Sequence, residues 1–234
     1  LTIQASDGVI ATTATITVNV TNVNDNAPVI NNANPTVAEN AAAGSTVLNI
    51  NDAHSGTDND RDGNAITYAI TAGNDAGLFS INAATGVISI ATGKALDFET
   101  TTNHSLTVQA SDGTNIDNAT ITVAVTNVND NAPVIINAST SVDEDEPAGT
   151  NIININDSTT GNDTDADGNA ITYSITGGNA DGIFSVNGAS GLITIAGGKS
   201  LDYDTASSHS LTILATDGTN TDTATIQVNV GNTD

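Results

Sequence analysis

The sequence predicts an all-β protein made of tandem Greek-key antiparallel β-sandwiches, each with about seven strands. Three observations carry this. Short runs of Val, Ile, Thr and Tyr alternate with polar residues. No segment sustains a 3.6-residue period. The chain also repeats itself at an offset of 105 residues, since "TNVNDNAPVI" stands at 21–30 and again, unchanged, at 126–135.

The strands follow in chain order. "TVLNIND" alternates over 46–52, "AITYAIT" over 65–71, "SLTVQAS" over 105–111 and "ATITVAVTN" over 119–127. "LFSINAATGVISI" at 78–90 reads as two short strands joined by a Gly-containing turn. The shift by 105 needs no gap. "VAENAAAGSTVLNIND" (37–52) falls on "VDEDEPAGTNIININD" (142–157), "KALDFET" (94–100) on "KSLDYDT" (199–205), and "HSLTVQASDGTN" (104–115) on "HSLTILATDGTN" (209–220). Two repeats are therefore expected, over 28–127 and 133–232. The opening "LTIQASDG" matches 106–113, so residues 1–23 are expected to be the C-terminal hairpin of a third, truncated copy. A period this long, with one compact unit each, means an array of domains. An isolated hairpin is marginal in water. Residues 1–23 thus imply either an excerpt of a longer array or completion by another molecule in a head-to-tail filament.

Composition narrows the function. The 234 residues hold 27 Asp plus Glu against 3 Lys plus Arg, a net charge of -24. Nucleic acid and anionic membrane surfaces, which need basic patches, are excluded as partners, and cations are favoured. No apolar run approaches the roughly 18 residues of a membrane span. Cysteine is absent, so neither disulfides nor thiolate metal sites hold the fold. With only 3% aromatics, the core must be Ile, Val, Leu and Ala. Such a core is thin, and external help matters.

The acidic residues recur at fixed offsets in loops and at strand ends. The first full repeat has Glu39, Asp58, Asp60, Asp62, Asp97, Glu99 and Asp112; the second has Glu144, Asp163, Asp165, Asp167, Asp202, Asp204 and Asp217. Asp25 and Asp130 lie in the repeated linker, flanked by Asn24, Asn26, Asn129 and Asn131. Hard divalent ions take six to eight oxygen ligands, and an oxygen-only set points to Ca²⁺ over Zn²⁺ or Cu²⁺. A solvated acidic surface explains any one Asp but not the repetition.

The order Glu, Asp-x-Asp, Leu-Asp-x-Glu, Ala-x-Asp-Gly and Asn-Asp-Asn-Ala-Pro resembles a cadherin repeat over essentially the whole chain. The Asn/Thr/Asp-rich composition is similar to bacterial cadherin-like repeats of large secreted adhesins. The resemblance implies Ca²⁺ between successive repeats, stiffening the joint. Its ligands would be Glu39, Asp97 and Glu99 from one unit and Asn129, Asp130 and Asn131 from the linker. Asp163, Asp165, Asn169 and Asp217 from the next unit would complete the set. A sparser set, Asn24, Asp25, Asn26, Asp58, Asp60, Asn64 and Asp112, would bind near the first linker. Glu144, Asp202 and Asp204 would bind weakly at the end of the second unit. Three departures stand out: Asn22 and Asn127 replace the family's Asp, Asp204 replaces Glu, and Asp62 and Asp167 stand where Gly is common. Asp-x-Asp-x-Asp-Gly also opens an EF-hand loop, but position 12 is Ala69 or Ser174, inside a strand, and no helix follows.

Catalysis finds little support. His104 and His209 enter an alternating strand and read as packed side chains; His54 has no counterpart, Thr159 standing there. Tyr68 and Tyr173 read as core. Asp97 and Glu99 are paired carboxylates, but a cluster facing solvent and built for cations keeps both ionised. The resemblance implies a non-enzymatic, extracellular or secreted Ca²⁺-rigidified stalk or adhesive rod. Its partners would be neighbouring repeats of the same or an adjacent chain, or a surface protein or polysaccharide. The alternatives are a carbohydrate- or protein-binding module, a filament subunit, and a spacer attached to a secreted enzyme. A carbohydrate module usually presents an aromatic platform, and there is no Trp.

Overall fold

The computed structural model describes residues 1–51, 58–156 and 162–233. His54 and Thr159 lie outside the described residues. The chain divides into two compact units, Leu1–Thr126 and Asn127–Asp234. Among the described residues, no helix is long and apolar enough to cross a membrane.

In the first unit the strands are β1 (Thr2–Ser6), β2 (Ala11–Thr15), β3 (Thr36–Ala38), β4 (Thr46–Asn49), β5 (Thr67–Ala72), β6 (Phe79–Ile81), β7 (Val87–Ile90), β8 (Asn103–Ser111) and β9 (Ile116–Thr126). β3 to β9 form a sandwich with sheets in the order β3-β9-β8-β5 and β4-β7-β6. Alternation along β8 and β9 turns Leu106, Val108, Ala110, Ala119, Ile121, Val123 and Val125 inward, onto Phe79, Ile88 and Ile90 of the other sheet. The pairing is antiparallel apart from β3 on β9, which runs parallel. Pro35 has no N–H to give a ladder, so it precedes β3, and its carbonyl accepts from Ala124 N at 2.9 Å.

The second unit repeats this plan. Its strands are β10 (Ala138–Asp143), β11 (Asn151–Asn154), β12 (Thr172–Gly177), β13 (Phe184–Val186), β14 (Leu192–Ile195), β15 (Ser208–Thr216) and β16 (Thr221–Gly231). The sheets run β10-β16-β15-β12 and β11-β14-β13, again with one parallel pair, β10 on β16. Register shifts fall at matching places, Ile70/Ala72 and Ile175/Gly177. Gly73 and Gly178 follow them with φ of 81° and 75°, where a Cβ would overlap the carbonyl of Ser105 or Ser210. Glycine is required there both by backbone conformation and by space.

β1 and β2 pair only with each other among the described residues, and every residue in them is exposed. Their register, Ile3↔Ala14 with Ser6↔Ala11, matches Val108↔Ala119 with Ser111↔Ile116 of β8 and β9. β2 ends at Thr15 and is shorter than β9, with Ile16 N donating to Leu1 O at 2.8 Å.

Candidate metal centre

The linker of each unit is tied down by one carboxylate. Asp62 Oδ2 accepts from Asp25 N (2.9 Å) and Asn26 N (2.8 Å), and its Oδ1 accepts from Asn26 Nδ2 (2.9 Å). Asp167 repeats this with Asp130 N (3.0 Å), Asn131 N (2.8 Å) and Asn131 Nδ2 (3.0 Å). The side-chain amides of Asn22 and Asn127 donate to the backbone carbonyls of Asp62 and Asp167 at 2.7 and 2.9 Å. An aspartate cannot make that bond, so Asn has a local use at the position where the sequence departs from the family. The roles of Asp62 and Asp167 as linker anchors were not legible from their spacing.

Other candidate carboxylates are aimed by turns of their own. Asp112 Oδ1 accepts from Thr114 N (2.7 Å) and Asn115 N (2.6 Å); Asp217 Oδ1 accepts from Thr219 N (2.6 Å) and Asn220 N (2.7 Å). Asp60 Oδ1 accepts from Asp62 N at 2.7 Å, and Asp165 Oδ1 from Asn169 N at 3.0 Å. At Asp112 the second oxygen, Oδ2, accepts from Asn115 Nδ2 at 3.2 Å; at the other three these bonds leave the second oxygen unused. Asp60 Oδ2, Asp165 Oδ2 and Asp217 Oδ2 are buried without a hydrogen-bond partner. Asn115 and Asn220 join the loops to the linkers, donating to Asn26 O (3.2 Å) and Asn131 O (3.1 Å). Sequence reasoning passed over both asparagines, although "DGTN" repeats at the common offset. Asn24 and Asn129 face them, Oδ1 toward the Asn115 and Asn220 amides at 3.4 and 3.2 Å. Asn64 N bonds Asp60 at 3.3 Å, so Asn64 stands in the same turn.

A second group sits at the other end of each sandwich. Glu39 is 4% exposed, and its Oε2 accepts from Phe98 N at 2.7 Å, which sets it beside the Asp97–Glu99 turn. Glu144 does the same with Tyr203 N at 2.8 Å, beside Asp202 and Asp204, and is itself half-buried. Asp97 and Asp202 each hold the hydroxyl of a threonine three residues on, Thr100 and Thr205, at 2.8 Å.

The electrostatics divide the carboxylates into two kinds. The Asn26 amide holds Asp62 below the usual carboxylate range, and the Thr100 and Thr205 hydroxyls and amides do so for Asp97 and Asp202. The Asn115 amide lowers Asp112; at Asp217 burial pushes up, and the Asn220 and Thr219 amides outweigh it. These groups are anionic at neutral pH. Asp58 and Asp163 differ: burial pushes both up, and their neighbours are the phenols of Tyr68 and Tyr173.

The histidines and tyrosines serve the core. His104 and His209 lie edge-on to Phe79 and Phe184, with ring centroids 5.3 and 5.1 Å apart. Tyr68 and Tyr173 are buried.

The cadherin domain model matches residues 34–128 and 138–231. Protocadherin Fat 4 of Mus musculus is 35% identical over 192 residues, 79% of this chain and 4% of its own length. Protocadherin Fat 1 of Homo sapiens is 35% identical over 230 residues, covering 92% of this chain and 5% of its own. The chain thus spans only a small fraction of the curated relatives it matches. The crystal structure of mouse cadherin-23 EC22-24 superposes with a TM-score of 0.76 at 29% identity, over 99% of this chain and 74% of that one. A cis-dimer structure of protocadherin gammaB7 EC3-6 gives 0.72 at 25% identity, over 97% of this chain and 57% of that one. With the fold, the repeated acidic turns and these matches together, the chain belongs to the cadherin domain family.

Proposed function

We propose that the chain is a non-enzymatic extracellular spacer or adhesive rod whose successive repeats are locked by Ca²⁺. Residues 1–23 are the last two strands of a further repeat, followed by repeats at 28–127 and 133–232. The joint ligands are Glu39, Asp97 and Glu99, then Asn129, Asp130 and Asn131 of the linker, then Asp163, Asp165, Asn169 and Asp217, with Asp167 holding the linker in place. The observation that carries this is the buried, unpartnered Oδ2 of Asp165 and of Asp217 in a chain of net charge -24. A carboxylate oxygen removed from water without a donor is costly, and a hard cation supplies what is lacking. Bound Ca²⁺ brings positive charge; the chain's own turns aim the oxygens. Asn24, Asp25, Asn26, Asp58, Asp60, Asn64 and Asp112 form a sparser set, and Glu144, Asp202 and Asp204 a weak one. The natural partners are neighbouring cadherin repeats of the same or another chain.

The test is solution scattering and thermal melting of the whole chain with Ca²⁺ and with chelator. Calcium is expected to narrow the distribution of maximum dimensions and raise the melting temperature. Half-saturation should fall at about 10⁻⁴ to 10⁻³ M, the range of extracellular modules. Equal dimensions and equal melting in both conditions overturn the reading.

A further inference from the structure

The turns that join β6 to β7 and β13 to β14 have the same backbone bonds and start from the same residue. Asn82 opens the first, and its Oδ1 accepts from Ala84 N (2.9 Å) and Thr85 N (3.1 Å). Asn187 opens the second, and its Oδ1 accepts from Ala189 N and Ser190 N, both at 3.0 Å. The backbone carbonyls of Asn82 and Asn187 take Gly86 N and Gly191 N, each at 2.9 Å. The next residue ties each turn to the opposite sheet: Tyr68 N donates to Ala83 O at 3.0 Å, and Tyr173 N to Gly188 O at 2.9 Å. Residues 82–85 and 187–190 are exposed. What sets the second turn apart is Gly188 in the place of Ala83.

The fold does not require glycine at 188. Its φ is not positive, and a Cβ built there would stand 3.4 Å from Tyr173 O, an ordinary contact. Its effect is chemical. Asn187-Gly188 is the only Asn-Gly pair in the chain. With no Cβ, nothing crowds the Gly188 nitrogen where it adjoins the Asn187 carboxamide. Its N–H makes no hydrogen bond among the described residues, and neither does Asn187 Nδ2. The two N–H groups on Oδ1 polarise Cγ and are placed to hold the negative charge that gathers on that oxygen when Cγ is attacked.

We propose that Asn187 is a site of spontaneous covalent modification, at which the second repeat slowly exchanges an amide for a carboxylate while the first repeat does not. The Gly188 nitrogen loses its proton to water and bonds to Asn187 Cγ. The Cγ–Nδ2 bond breaks, and Nδ2 takes up a proton and leaves as ammonia, so a five-membered succinimide remains. Water then opens the ring. Entry at Cγ gives an aspartate, which keeps an acceptor for Ala189 N and Ser190 N. Entry at the backbone carbonyl carbon gives an isoaspartate, in which the main chain runs through the former side chain and is one carbon longer. The bonds from Gly191 N and Tyr173 N then no longer fit, and the β13–β14 hairpin comes loose from the sandwich. The second repeat weakens with age, and Ala83 spares the first.

The experiment ages the whole folded chain at neutral and mildly alkaline pH and follows each asparagine by peptide mapping. Conversion is read from the mass gained when an amide becomes an acid, and isoaspartate from enzymatic methylation. Asp-Gly pairs can also yield isoaspartate, but they gain no mass. Asn187 is expected to convert severalfold faster than Asn82, and faster at the higher pH, because attack needs a deprotonated nitrogen. Gly188→Ala should slow Asn187 to the rate of Asn82, and Ala83→Gly should raise Asn82 to the rate of Asn187. Both variants should fold, since each puts into one repeat the residue that the other already holds. The aged parent should contain a fraction that melts lower, which aged Gly188→Ala lacks. Equal rates at Asn82 and Asn187, or rates indifferent to the two exchanges, overturn the proposal. Aspartate formed without isoaspartate overturns the succinimide route, and unchanged melting of the isoaspartate form overturns the weakening.

Discussion

Glu39 separates a structural role from a metal-binding one, because it does a measurable job in each. Its Oε2 accepts from the Phe98 amide at 2.7 Å in a site where the residue is 4% exposed. Removing the side chain strands a partly buried N–H, which costs about 1–3 kcal/mol. For a domain of this size that is a fall in melting temperature of roughly 5–15 °C. Glu39→Gln keeps an acceptor of the same length for Phe98 and removes only the charge. In chelator, Glu39→Ala should therefore melt well below the parent, while Glu39→Gln stays close to it. In calcium both variants should gain less than the parent, because both lack a charged ligand, while the offset between them persists. Calcium affinity should drop about tenfold or more, equivalent to about 1.4 kcal/mol. The assay is a calcium titration of melting for the parent and both variants. If Glu39→Gln shows the full calcium-dependent gain of the parent, Glu39 is a strand-end clasp and the ligand assignment built on it fails.

Other expectations follow from the same geometry. Gly73→Ala and Gly178→Ala place a methyl against a backbone carbonyl at positive φ, so each should lose at least about 2 kcal/mol in chemical denaturation; Gly113→Ala, with open space around it, should lose less. Burial lowers the pKa of His104 and His209, with Asp181 partly offsetting it at His209. Their neutral form is thus the folded one. The stability they contribute is whole above the unfolded value of about 6.5 and is lost as pH falls through that value toward the folded one. NMR titration of the two imidazoles should give midpoints below 6.5, and His104→Gln/His209→Gln should flatten the melting profile over that window. Asn127→Asp removes the donor to the Asp167 carbonyl and adds an anion beside it, so amide exchange at Asp130 and Asn131 should quicken in chelator, and calcium should reverse much of the change.

The fold was legible because strand and repeat signals agree. Val and Ile at alternate positions of β8, β9, β15 and β16 are the residues found fully buried, and each repeat yields seven strands. The parallel pairing of β3 on β9 was not legible. Alternation fixes which face a strand buries, and it carries no information about which edge receives it or in what direction. Among site residues, Asp60, Asp97, Asp112 and their counterparts were found by repetition. Asp58 and Asp163 looked the same in sequence as Asp60 and Asp165. Only the packing of Tyr68 and Tyr173 shows that they face the core.

That difference says how the acidic positions are built. Asp7, in the turn between β1 and β2, accepts from Val9 N at 2.9 Å and Ile10 N at 2.7 Å, the same turn as at Asp112 and Asp217, although it is exposed. The geometry of this carboxylate is therefore local, written in Asp-Gly and the two residues after it. Asp97 and Asp202 likewise depend only on a threonine three residues on. Ligands aimed by their own turns are in position before an ion arrives, so binding orders little at those points. Asp58 and Asp163 have no such turn and owe their position to the closed sandwich. One acidic motif thus divides into carboxylates aimed by their own turns and carboxylates held by the core, and the line falls between Asp58 and Asp60.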